Sequence, residues 1–179
     1  MAVLAELTIE DFENLPDALA HNHELVDGEL VDVSGNTAYH NSLRDELLVL
    51  LRPYARERSL GLAICEQDFD FDGNAHGPDL SFISAARMPL IRGNRRVQLF
   101  VPDVVIEIVS NDDRADAFMR KLKRYRDCGT REVWAIFIGT RQALLFSEHG
   151  DRVLHEDDEF RSDLISGFSI LLKNLFDQA

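Results

Sequence analysis

Basic residues are in short supply: 19 Lys and Arg stand against 32 Asp and Glu, a formal net charge of -13. That balance excludes general affinity for nucleic acid, whose phosphates need a locally positive surface, so only a local basic patch would support such a partner. Cysteine is almost missing. The two present, Cys65 and Cys128, lie far apart and match neither zinc nor redox spacing, so both are expected to be reduced, packed thiols. No apolar run approaches the roughly 18 residues of a membrane-spanning helix, and Met1 to Leu7 has no basic stretch leading into an apolar one. The expectation is a soluble, cytoplasmic protein with no membrane partner. Repeats, low-complexity segments and linkers are absent from the sequence too.

What is there suffices for one core. The chain has 179 residues of which 45% are hydrophobic, which predicts a single domain over 1–179. Thr8, followed three positions later by Asp11, predicts a short capped helix ending before Pro16. Asp27-Gly28 between two strand-like runs (23–33) predicts an N-terminal hairpin. Leu43, Leu47, Leu50, Leu51 and Tyr54 follow helical spacing, so a long amphipathic helix is expected from about Ala38 to Arg58, kinked or split at Pro53. Residues 62–71 and 78–83 read as a second hairpin turning at Asp72-Gly73-Asn74, with Arg87, Arg92, Arg95 and Arg96 in or beside the loop that follows. A helix from Asp113 to Cys128, closed by Gly129, leads into a buried strand from Glu132 to Ile138. A peripheral hairpin (142–147 and 152–155) and an amphipathic turn (171–176) complete the chain.

The stretch from Val101 to Ser110 organises the rest. It is rich in β-branched residues, opened by Pro102, and reads as a buried central strand, yet it carries Glu107. Alternation puts Asp103, Val105, Glu107 and Val109 on one face and Val104, Ile106 and Ile108 on the other. An ionised carboxylate without partners in apolar surroundings costs several kcal/mol, so folding alone favours Val or Ile at 107. The structural explanation is an Arg partner or a cap; the functional one is a metal-binding or catalytic carboxylate. Pro78-Asp79 and Pro102-Asp103 each begin a strand, so neighbouring strands would gather Asp79, Asp103 and Glu107. Carboxylates that close together call for a cation, and an all-oxygen set suits Mg²⁺ or Mn²⁺ rather than zinc.

The following helix supplies cations: Arg114, Arg120, Lys121, Lys123, Arg124 and Arg126. Glu107 lies roughly 10 Å down its strand and Lys121 roughly 12 Å into the helix, so the two come level if the helix folds back along the sheet. On the helical wheel Lys121 borders the buried face formed by Ala115, Phe118, Leu122 and Tyr125, while Lys123 falls on the other flank.

The ordered set Glu24-Leu25-Val26-Asp27-Gly28-Glu29, Pro78-Asp79, Pro102 to Ser110, Lys121-Leu122-Lys123-Arg124-Tyr125, Gly129 and Glu132-Val133-Trp134 resembles the Uma-type endonucleases of the restriction-endonuclease-like PD-(D/E)XK superfamily. The resemblance covers about 20–140. It implies an α/β (α+β) fold, a mixed β-sheet flanked by helices, and a Mg²⁺-dependent (or Mn²⁺-dependent) endonuclease hydrolysing DNA. By this resemblance Asp79 and Glu107 are metal ligands and Lys121 is the catalytic lysine. The wider superfamily's E-x-K lysine would fall at Val109, where this chain departs from the pattern, and Lys121 stands where Uma-type chains have one.

Accessory candidates are Glu24, His40, Gln67 with its neighbour Glu66, and Asp103. Each also has a structural explanation: solvated hairpin acid, helix cap, strand packing and strand start. Arg120, Lys123 and Arg124 are candidate phosphate contacts, or a solvated face balancing an acidic protein. A homodimer is expected. The alternative is a catalytically inactive nuclease-fold protein acting as a binding or regulatory module; glycoside hydrolysis, which needs acid and base on opposite sides of a sugar, fits less well.

Overall fold

The computed structural model describes residues 6–33, 35–110 and 115–179. Asp113, where the helix after the central strand was expected to begin, and Arg114 lie outside the described residues.

Thr8 caps α1 (Ile9–Glu13): its hydroxyl accepts the Asp11 N–H, and the Asp11 carboxylate accepts the Thr8 N–H at 2.9 Å. After α2 (Asp17–Ala20), β1 (His23–Val26) and β2 (Glu29–Asp32) form the expected hairpin. Asp27 and Gly28 both have positive φ, 50° and 81°, the conformation a two-residue hairpin turn requires. In α3 (Ala38–Glu57), Leu43, Leu47, Leu51 and Ala55 point inward. It continues through Pro53 rather than splitting there. Pro53 and Val49, the residue whose carbonyl loses its N–H partner, both lie on the exposed flank of the helix.

The second predicted hairpin is a correction. The chain forms β3 (Gly61–Cys65), β4 (Asp68–Asp70), β5 (Ala75–His76) and β6 (Leu80–Ser84), and these belong to two different sheets. Glu66, with φ of 51°, turns the chain out of one sheet and into the other. β4 and β5 make a short hairpin around Asp72-Gly73-Asn74, whereas β3 pairs with β6. β7 (Val97–Gln98) then pairs with β4 in parallel, completing a five-stranded sheet of order β2-β1-β5-β4-β7.

β8 (Val104–Val109) is the buried central strand anticipated, three residues shorter at its start. Helix α4 (Ala115–Asp127) carries the chain over to β9 (Glu132–Phe137), which lies parallel to β8. β10 (Gln142–Ser147) was expected to be peripheral but pairs with β9 over six residues, because Ala143 and Leu145 bury one face completely. β11 (Arg152–Leu154) forms the edge of this six-stranded sheet, order β11-β10-β9-β8-β6-β3. A ribbon of β12 (Glu159–Arg161) and β13 (Ser169–Leu171), not anticipated, precedes α5 (Leu172–Gln178).

The six-stranded sheet is covered on both faces. Val104, Ile106 and Ile108 pack with Leu43, Leu47, Leu51, Leu172 and Phe176 from α3 and α5. Val105 and Val109 pack with Leu122 and Tyr125 of α4 and with Phe69 and Phe71 from the smaller sheet. Glu107 belongs by alternation to this second face, at the seam between the two sheets.

Candidate active site

The strand pairing brings the first two carboxylates together. β6 and β8 run antiparallel with Leu80 opposite Ile106, so one step further Asp79 lies opposite Glu107, a cross-strand neighbour on the same face. Asp79 also ends the ladder: its Oδ2 accepts the Ile108 N–H at 2.7 Å, while the Pro78 carbonyl is taken by the Glu66 N–H. The same Oδ2 lies 3.2 Å from Nε2 of His40, on the first turn of α3. Because His40 Nδ1 is buried without a hydrogen-bond partner among the described residues, the tautomer that fits carries its proton on Nε2 and donates it to Asp79.

α4 closes the site from above. Lys121 Nζ lies 3.0 Å from Glu107 Oε1 and 2.9 Å from Glu24 Oε1. One turn on, the Tyr125 hydroxyl donates to the same Glu107 oxygen at 2.5 Å. Glu24, from β1 in the smaller sheet, is itself fixed: Oε1 also accepts the Gly77 N–H at 3.1 Å and Oε2 lies 2.8 Å from His76 Nδ1. Arg124 Nη1 stands 3.3 Å from the other ring nitrogen of His76. A guanidinium only donates, so the network assigns Nε2 as acceptor and Nδ1–H as donor to Glu24.

Burial pushes Glu107 up to about 7, against the pull of Lys121 and with the help of Asp79 and Glu24. Burial acts the same way on Glu24, but Lys121 and His76 outweigh it and hold that carboxyl at about 2. For Lys121 burial works against the charge, yet Glu107 and Glu24 prevail and keep the ammonium well above its ordinary range. Burial lowers His76, which agrees with a neutral ring. Asp68, also facing the cleft, is pushed up to about 7 by burial and by the neighbouring Glu24.

These groups line a cleft of about 1080 Å³, into which Arg120 also faces. Arg120 is exposed and makes no ion pair among the described residues. The sequence had grouped other candidates here that the fold sends elsewhere. Gln67 donates its amide to the carbonyls of Arg96 (2.5 Å) and Asp68 (3.1 Å), tying the turn between the sheets. Asp103 sits four residues before Glu107, roughly 13 Å along the strand, where it accepts the Ser84 N–H at 2.8 Å and faces Arg87. Lys123 pairs with Asp127 on the far flank of α4. Arg124 does line the cleft, but it is engaged by Asp27, Asn74 and His76, and Glu66 on the rim pairs with Arg44. Sequence reasoning missed His76 and Asp68; the one available signal for His76 was its place three residues before Asp79. Among the described residues no group of three or more His, Cys, Asp or Glu side chains is arranged to hold a metal ion.

Over residues 9–173 the chain matches the family Uma2, described as "Putative restriction endonuclease". The chain belongs to the Uma2 family. The crystal structure of "a putative nuclease belonging to DUF820" from Anabaena variabilis ATCC 29413 is similar to this Uma2 chain with a TM-score of 0.83 and 20% identity, covering 96% of this chain and 98% of that one. The family match and this likeness together bear out the expected restriction-endonuclease-like fold. The comparison with curated proteins finds no match. Among the described residues no helix is long and apolar enough to cross a membrane.

Proposed function

We propose that this Uma2 protein is a divalent-cation-dependent endonuclease hydrolysing DNA phosphodiester bonds, with Asp79 and Glu107 as ligands for Mg²⁺ or Mn²⁺ and Lys121 as the catalytic lysine. The observation that carries this reading is Lys121 Nζ at 3.0 Å from Glu107 Oε1, reached from α4 in place of the missing lysine at position 109. Oxygen donors of this kind fit a hard cation. Glu107, desolvated beside Asp79 and Glu24 with one ammonium among them, stands in a negative environment that a divalent ion would neutralise. When bound, such an ion supplies charge stabilisation at the reacting phosphate.

Lys121, held protonated, donates hydrogen bonds. Its role is to orient the attacking water and stabilise developing negative charge rather than to remove a proton. His40 and the Ile108 N–H keep the Asp79 carboxylate aimed at the strand opposite. Arg120, which faces the cleft and makes no ion pair among the described residues, is the cation best placed for a substrate phosphate.

The test is cleavage of plasmid DNA by purified protein in Mg²⁺ or Mn²⁺ against a chelator control. Glu107→Ala and Asp79→Asn are expected to abolish cleavage, and Lys121→Met to lower it about 10²- to 10³-fold. Cleavage that survives in Glu107→Ala, or that proceeds in chelator, rejects the mechanism. The second reading, a nuclease fold used for binding alone, draws on the net charge of -13 and on the absence of a ready metal cluster among the described residues. Divalent-dependent DNA binding without cleavage under any condition favours it.

A further inference from the structure

Glu24 is set apart from the other acids of the site. It comes from the smaller sheet, is 5% exposed, and has both oxygens engaged: Oε1 by Lys121 and the Gly77 N–H, Oε2 by the Nδ1–H of His76. Three donors occupy most of what a carboxylate can accept, which leaves little for a cation. Lys121 is shared almost equally, 2.9 Å from Glu24 and 3.0 Å from Glu107. The two carboxylates therefore compete for one ammonium. A cation on Glu107 repels that ammonium, and Glu24 is the group left to hold it.

We infer that Glu24 is a positioning residue: it retains Lys121 at the edge of the site and so frees Glu107 for a divalent cation, with His76 and the Gly77 N–H fixing Glu24 in turn. This rests on the reading that Asp79 and Glu107 bind such a cation. Arg124 anchors the far end of the chain of contacts, since its guanidinium sets the His76 tautomer and is itself held by Asn74 at 2.7 Å. Glu24 thus acts through Lys121 and touches neither substrate nor cation.

The experiment is calorimetric titration of Mn²⁺ alone into four proteins: wild type, Glu24→Gln, Lys121→Met and the double variant, each checked for folding by circular dichroism. With Glu24 neutral the ammonium falls wholly to Glu107, so Glu24→Gln is expected to weaken Mn²⁺ binding about tenfold. Lys121→Met removes the competitor and binds Mn²⁺ more tightly than wild type. In that background the effect of Glu24→Gln shrinks to about threefold or less, a non-additivity that a general structural role does not produce. If Glu24→Gln does not fold, Glu24→Asp takes its place, keeping the charge but retracting it by one methylene, with a smaller loss in the same pattern. Equal losses in both backgrounds make Glu24 a direct ligand or a remote charge and overturn the inference alone, as does no loss in either. Absence of Mn²⁺ binding by the wild type overturns this inference together with the metal reading beneath it.

Discussion

Glu107 owes its place in the core to two neighbours on α4, Lys121 and Tyr125, and the second of these gives a direct stability test. Tyr125→Phe deletes only the hydroxyl that donates to Glu107. The variant is expected to lose about 1–3 kcal/mol in urea unfolding, the usual range when a buried acceptor loses its donor. Asp68 behaves in the opposite way. Its carboxyl, ordinarily near 3.8, is pushed up to about 7, so between those values the folded protein holds a proton that the unfolded chain sheds. The stabilisation is complete below about pH 4 and lost as the pH rises through 7. Asp68→Asn should therefore leave the melting temperature unchanged at pH 4 and raise it by several degrees at pH 8, about 2 kcal/mol allowing for partial exposure; an unchanged melt at pH 8 rejects the desolvation argument. The sequence exposed Glu107 readily, because one acid in a run of β-branched residues is an energetic anomaly. His76 and Asp68 gave no such sign, since their burial comes from a second sheet that no local pattern announces.

Among the secondary-structure elements, β8, α4 and β9 were legible because strand, helix and strand succeed one another within a few tens of residues and each has its own period. The division of residues 61–84 between two sheets was not, because it turns on the backbone angle at Glu66 rather than on hydrophobic pattern. Gly61, which opens β3, illustrates the cost of a change in this segment. Its φ is 154° and a Cβ would stand 2.1 Å from the Ile83 carbonyl oxygen, in the β3–β6 ladder that carries Asp79 at its end. Gly61→Ala is expected to destabilise the protein by about 1–3 kcal/mol or more, seen as a lowered urea midpoint with the slope unchanged. Gly73→Ala, whose Cβ meets nothing within 4 Å, bears only the cost of its positive φ and should fall well short of that.

The whole molecule carries its acidity into the cleft. Of the cleft-lining cations among the described residues, Arg96, Lys121 and Arg124 are already held by Asp17, Glu24 with Glu107, and Asp27, which leaves Arg120 of that set. DNA binding, measured by fluorescence anisotropy in Ca²⁺, should therefore weaken only gently with salt, with a log–log slope shallower than about -2; a slope near -6 would reveal a basic surface elsewhere. One detail of the sheet gives a further means of watching the site. The amide of Ile108 lies in the buried central strand yet donates to the Asp79 carboxylate instead of to a neighbouring strand. In a nuclear magnetic resonance spectrum its proton becomes a resident reporter of where that carboxylate points: if Asp79 ligates Mg²⁺ as proposed, its signal should move on adding the ion, with no substrate present.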